Sequence, residues 1–166
     1  MTKISDNFKK RLKAFKNITK KVRRIFSSLQ KNKAEDIKKD FTEGILNDSL
    51  GLARLKPKTI KRKINKGYNN PEKPLVGKGS SSSSSYANIL GITKIKNGVK
   101  IGPKKGMHHS GKISLKKLFL AHENAQRTNT PKRPALQIVL RKYKGKAKKP
   151  VIKIDPNTFE VEVKNK

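Results

Sequence analysis

Residues Leu118 to Leu140 read LFLAHENAQRTNTPKRPALQIVL, and this stretch decides the fold. An apolar run ends in His122-Glu123, a polar segment follows, and Arg133-Pro134 leads into a second amphipathic segment. Leu115, Leu118, Phe119 and His122 fit a short helix or a strand, and helix is the favoured reading. Pro131 and Pro134 bracket a rigid turn. Leu136, Val139, Leu140 and Tyr143 then recur at helical spacing.

Working outward, Tyr86 to Lys96 carries Ile89, Ile92 and Ile95 and reads as one arm of a β-hairpin. Asn97-Gly98 is the expected two-residue turn, since both residues tolerate positive φ. In the return strand Val99 and Ile101 face one side and Lys100 the other. A flexible loop, Gly106 to Gly111, separates this hairpin from the run that ends in His122. The tail carries a basic run, Arg141 to Lys149. Two short strands, Val151 to Ile154 and Phe159 to Val163, then flank a turn at Asp155-Pro156-Asn157, which gives a terminal hairpin.

Toward the N-terminus, Phe8, Leu12, Phe15, Ile18, Val22, Ile25, Phe26 and Leu29 recur mostly at three- and four-residue steps, and Ile37, Phe41 and Ile45 continue at steps of four. This is an amphipathic helix that Ser5 or Asp6 can cap. Either one long helix bends near Lys31 to Lys33 or two helices meet there, and Gly44 and Gly51 mark the expected ends. Pro57 opens a further short helix over Lys58 to Ile64. Gly67, Asn69, Asn70, Pro71 and Pro74 read as a loop, and the serine run Ser80 to Ser85 as a mobile low-complexity segment. The fold class that follows is α+β: a long N-terminal helix or helix pair, a small antiparallel sheet with a helix packed on it, and a basic C-terminal extension. The segments are 1–50 (helical), 51–85 (loop-rich, with the serine run), 86–145 (α+β core) and 146–166 (basic tail with a hairpin).

The 166 residues carry 43 Lys+Arg against 11 Asp+Glu, a formal charge of +32, and only 33% are hydrophobic. Charge on this scale opposes a compact isolated monomer and selects anionic partners: nucleic acid, an acidic protein surface or an anionic membrane. Part of the chain is therefore expected to be ordered by its partners. Lys far outnumbers Arg, which weakens sequence-specific base reading, although AT-rich codon usage produces the same bias. Absence of Cys excludes disulfides and thiolate chemistry. No apolar run approaches a membrane span, and the N-terminal segment lacks a signal peptide's apolar stretch, which predicts a chain made and kept in a cytoplasm.

Catalytic chemistry finds little purchase. His108-His109 has no third metal ligand nearby, and a zincin-type site at His122-Glu123 would need a second His where Gln126 stands. His122 is expected to be satisfied structurally, by a backbone or carboxylate partner. Glu35, Asp36, Asp40 and Glu43 share a helical stretch suited to pairing with lysines or a neighbouring subunit. GPKKG (Gly102 to Gly106) lacks the spacing of a phosphate-binding loop, though Lys104 and Lys105 can touch a phosphate backbone. No catalytic, metal or cofactor site is expected. The candidate contacts to DNA or an acidic partner are Lys20, Lys21, Arg23, Arg24, Lys104 and Lys105. Membrane binding is the weakest use of the basic helix, because Trp is absent.

The order of short motifs resembles the virion-morphogenesis family of tailed bacteriophages, the tail-completion or neck proteins. Leu55, Pro57, Thr59 and Lys63 match a Leu-x-Pro-x-Thr-x-x-x-Lys segment, and Pro74, Leu75 and Gly79 fit a Pro-Leu-x-x-x-Gly turn. His122-Glu123-Asn124 is similar to a His-x-x-Gly element, with Ala125 in place of glycine. Arg133-Pro134 with Leu136 resembles Arg-Pro-x-Leu, with Ala135 in place of an aromatic. The resemblance spans Leu46 to Tyr143 and implies a structural, non-enzymatic protein. Such a protein forms a homo-oligomeric ring at the head-to-tail junction of a virion assembled in the host cytoplasm. Its implied partners are other neck, portal-adaptor or tail proteins, with DNA in the channel. The alternative from composition alone is a non-specific nucleic-acid-binding protein.

Overall fold

A computed structural model describes residues 2–77, 85–95, 98–108, 110–124, 131–144, 151–154 and 161–164. Its elements in chain order are α1 (Thr2–Leu46), α2 (Pro57–Asn65), β1 (Leu90–Ile95), β2 (Gly98–Pro103), α3 (Leu115–Glu123), α4 (Ala135–Tyr143), β3 (Val151–Ile154) and β4 (Val161–Lys164). The strands form two separate antiparallel pairs, β1 with β2 and β3 with β4. The fold is α+β, as expected. The chain divides into two compact units, one of residues 33–144 and one of residues 1–32 with 145–166.

Within residues 33–144 the core forms where the four-residue apolar period of α1 meets the middle of the chain. Ala34, Ile37, Phe41 and Ile45 are buried, as are Leu50, Leu52, Val76, Ile89, Leu90, Phe119 and Val139. Full burial of a side chain such as Phe41 or Val139 contributes ~1.5–3 kcal/mol. Tyr86 sits at the centre: its ring lies 6.0 Å from Phe41, 6.5 Å from Phe119 and 5.0 Å, edge-on, from His122. Thr42 fastens α1 to this region by donating to the Ala87 carbonyl at 2.9 Å. A two-stranded hairpin is marginal alone, and β1 gains its support by entering the core at Leu90.

Several elements depart from the sequence reading. α1 runs through Lys31 to Lys33 as one continuous helix, so of the two alternatives the helix pair is excluded. Gly44 is inside α1, not at its end. A Cβ there would lie 2.7 Å from Leu50 Cδ2, so the glycine opens room for Leu50 to fold back onto the helix. The stop comes after Leu46, where Asp48 (φ 55°) and Gly51 (φ 60°) adopt left-handed conformations and Ser49 N–H donates to the Gly44 carbonyl at 3.0 Å. β1 starts at Leu90, not Tyr86, because residues 86–89 turn into the core instead of pairing. Ile95 pairs with Gly98, so Gly98 is a strand residue and not a turn residue; Asn97 lies outside the described residues.

Met107 bridges Ser114 and His108 N–H donates to the Ile113 carbonyl at 2.8 Å, so the loop expected to be flexible is a closed turn; its His109 lies outside the described residues. Of the serine run, Ser85 is buried and the remainder lies outside the described residues, as does Asp155-Pro156-Asn157. Two antiparallel terminal strands are present, with Val151 opposite Lys164 and Ile154 opposite Val161; the second runs Val161–Lys164 instead of the expected Phe159 to Val163, and Phe159 and Glu160 lie outside the described residues. α2 starts at Pro57 and α3 is a helix with Ser114 as its N-cap, accepting from Lys117 N–H at 3.3 Å.

Candidate docking surface and the motif residues

The motif residues of the middle segment are fasteners. α4 begins just after Pro134, which has no side chain able to cap it. The cap comes from α3 instead: Glu123, only 3% exposed, accepts from Leu136 N–H at 2.9 Å. Tyr86 hydroxyl also donates to Glu123, at 3.4 Å. Burial pushes the Glu123 carboxyl above its ordinary range, and the N–H groups of Leu136, Gln137 and Ala135 pull it partly back. The same burial, next to Glu123, pushes the Tyr86 hydroxyl far up. A carboxylate at a helix N-terminus is favoured by the helix dipole, which offsets part of the desolvation cost.

Arg133 is buried and reaches across the chain, its Nε donating to the Ala53 carbonyl at 2.9 Å. Its own N–H donates to the His122 carbonyl at 2.8 Å, locking the approach to α4 against the end of α3. Burial lowers the Arg133 guanidinium from its ordinary value. On α2, Lys63 donates to the Lys73 carbonyl at 2.8 Å and its ammonium stands 5.5 Å from the Tyr68 ring. Burial lowers the Lys63 ammonium, with Glu72 opposing and Arg133 reinforcing the shift. Lys73 in turn donates to the Leu46 carbonyl at 2.7 Å, closing the C-terminus of α1. Pro74 is fully buried, and Leu75, at φ 62°, holds a left-handed turn in an apolar residue. Lys63, Lys73, Glu123 and Arg133 thus tie these elements by hydrogen bonds between separate segments, Pro74 and Leu75 pack into or against the core, and Pro57, itself exposed, and Pro134 set the starts of α2 and α4.

The candidate contact cations behave differently. Lys20, Lys21, Arg23 and Arg24 are all exposed on α1; at 100° per residue Lys20, Lys21 and Arg24 fan over the side away from Phe8, Phe15 and Val22, while Arg23 stands at the edge of that row. Lys105 is exposed beyond β2, whereas Lys104 is half-buried, with its stem laid against Gly91, where a Cβ would meet Lys104 Cγ at 3.0 Å. The four helix cations belong to one compact unit and the lysine pair to the other.

On the carboxylates, Asp40 accepts from Tyr143 hydroxyl at 3.1 Å, which ties α4 to α1, while Glu35 and Glu43 pair with Lys38 and Lys39 on the helix surface. Burial, then Asp40, raises the Tyr143 hydroxyl. His108 Nδ1 lies 3.0 Å from Ser110 Oγ. Among the described residues no three His, Asp or Glu side chains gather as a metal site, and no helix is long and apolar enough to cross a membrane.

Sequence reasoning missed Tyr86 as the hub, Lys73 as a helix closure and Glu123 as a remote cap. The signal for Glu123 was a start to α4 that had no capping side chain of its own. No protein family, no curated protein and no solved structure matches the chain.

Proposed function

We propose that this chain is a structural virion protein of the neck or tail-completion type, which assembles into a ring at the head-to-tail junction of a tailed phage and lets the two joined structures hold. The observation that carries the reading is the ordered set Leu55-x-Pro57-x-Thr59-x-x-x-Lys63, Pro74-Leu75, His122-Glu123 and Arg133-Pro134-x-Leu136. It is supported by the work those residues do. Lys63, Glu123 and Arg133 each make a long-range fastening that sets one helix against another segment. Residues of that kind hold the middle segment in one shape.

The mechanism is interface formation without turnover. A +32 chain docking onto acidic neighbours gains encounter rate from long-range attraction, and that gain fades as salt shortens the Debye length to about 8 Å at physiological ionic strength. Subunits would contribute basic faces to acidic neck, portal-adaptor or tail proteins, with DNA passing through the ring. The test is assembly in the absence of the chain. Filled heads and finished tails should accumulate unjoined, and adding the purified chain should restore joining. Normal virion yield without it refutes the proposal. A rival from another class, a non-specific nucleic-acid binder, gains if the chain is missing from particles and binds DNA tightly with a steep salt dependence.

A further inference from the structure

The N-terminal half of α1 carries an apolar seam that the described residues leave open. Phe8 is 67% exposed, Leu12 42%, Phe15 66% and Phe26 38%. The seam has a strict register. Phe8, Phe15, Val22 and Leu29 stand seven apart, and Leu12, Thr19 and Phe26 interleave with them, so the steps alternate four and three over three heptads. A 3.5-residue repeat is what a facing helix requires, since knobs every 3.5 residues stay in one groove as two helices supercoil.

The flanks say which helix. Lys9, Lys16 and Arg23 each follow the Phe8, Phe15, Val22 row by one residue, which places an exposed cation at the edge of the seam in every heptad. Among the described residues, α1 forms ion pairs only at Glu35–Lys38 and Lys39–Glu43, beyond this segment. A second copy supplies no answer. A parallel copy sets Arg11, Ile18 or Ile25 against these cations, and an antiparallel copy sets the cationic row against itself. Residues 1–32 hold eleven Lys and Arg against the single acid Asp6, so two such segments repel. Duplex DNA would engage the lysines and leave the phenyl rings in water. A membrane surface would accept the apolar face without demanding a 3.5-residue repeat.

We propose that this seam takes a helix from a different protein, apolar at its core positions and acidic along the row facing Lys9, Lys16 and Arg23. The inference rests on the reading of the chain as an assembly component and gives one of its partners a chemistry.

The probe is a labelled four-heptad peptide with Leu at its core positions and Glu at both flanking positions, titrated against the full chain at physiological salt. Comparators are the same peptide with Lys at the flanks, polyglutamate of equal charge, a short DNA duplex and phosphatidylglycerol vesicles. The acidic peptide should bind roughly tenfold or more tighter than polyglutamate, and Phe15→Ser with Phe26→Ser should remove that margin. Lys9→Glu, Lys16→Glu and Arg23→Glu together should transfer preference to the Lys-flanked peptide. All of these residues are exposed, so the swap reads the interface and not folding.

Equal affinity for polyglutamate overturns the proposal, as does tighter binding to DNA or vesicles, or self-association through the phenyl rings. Failure of the peptide with normal head-tail joining would remove the seam and leave the assembly role. A chain missing from virions whose charge swap still works would do the reverse.

Discussion

Glu123→Ala isolates the remote cap that sets α4. In the wild type the carboxylate accepts from Leu136 N–H at 2.9 Å while only 3% exposed. Truncation removes a helix cap, worth ~1 kcal/mol. It also leaves a buried backbone donor and the Tyr86 hydroxyl short of an acceptor, at about 1–3 kcal/mol for an unsatisfied group. Relief of the buried charge, which the raised Glu123 pKa records, returns part of this. The net cost is about 2–3 kcal/mol. For a unit of about 100 residues, 1 kcal/mol moves Tm by about 4–8 °C, so Tm should fall by roughly 10–20 °C. Glu123→Gln keeps an oxygen acceptor for Leu136 and should recover most of the loss. Thermal unfolding of the full chain at neutral pH, followed by circular dichroism, reads both variants. An alanine variant melting with the wild type, or a glutamine variant as unstable as alanine, would refute the capping role.

Three further outcomes follow from the same contacts. Because the folded Glu123 pKa lies above its ordinary value of 4.5, its contribution to stability is full below that value and declines as pH rises through the folded pKa; the difference between wild-type and Glu123→Gln melting curves should vary with pH in that sense, and a pH-independent difference counts against it. Gly44→Ala should destabilise by about 1 kcal/mol, as crowding of Leu50 outweighs the ~1 kcal/mol helix-propensity gain, and a Gly44→Ala, Leu50→Ala pair should show strong non-additivity in denaturant titrations; a stabilised single variant would contradict the packing. Arg133→Met should cost roughly 2 kcal/mol by chemical denaturation through loss of its charged hydrogen bond to Ala53, and an unchanged midpoint would show that this bond does not matter.

Much of the architecture was legible because it is periodic or locally signalled. Ile37, Phe41 and Ile45 mark one face of α1 by spacing alone, Pro57 announces α2, and Leu136 to Tyr143 shows the period of α4. What escaped depends on distance along the chain. Gly44 reads as a stop until Leu50 is seen folding back over it. Glu123 reads as one of two neighbouring polar residues because its acceptor role lies across a loop, at Leu136. Tyr86 scores as a strand residue, yet the core draws residues 86–89 inward before β1 can begin. The apolar stripe of α1 has similar spacing in both halves, and sequence cannot tell that Phe41 is fully buried while Phe15 is left in water. That difference depends on whether another segment covers the face.

The central claim is that this chain is a docking component built into a particle at one defined place. Gold labelling of an epitope-tagged chain in purified virions, imaged by electron microscopy, tests it most directly. Label confined to the junction between head and tail is the expected result. Particles that carry no label, or carry it over the whole head or along the tail, would contradict the claim.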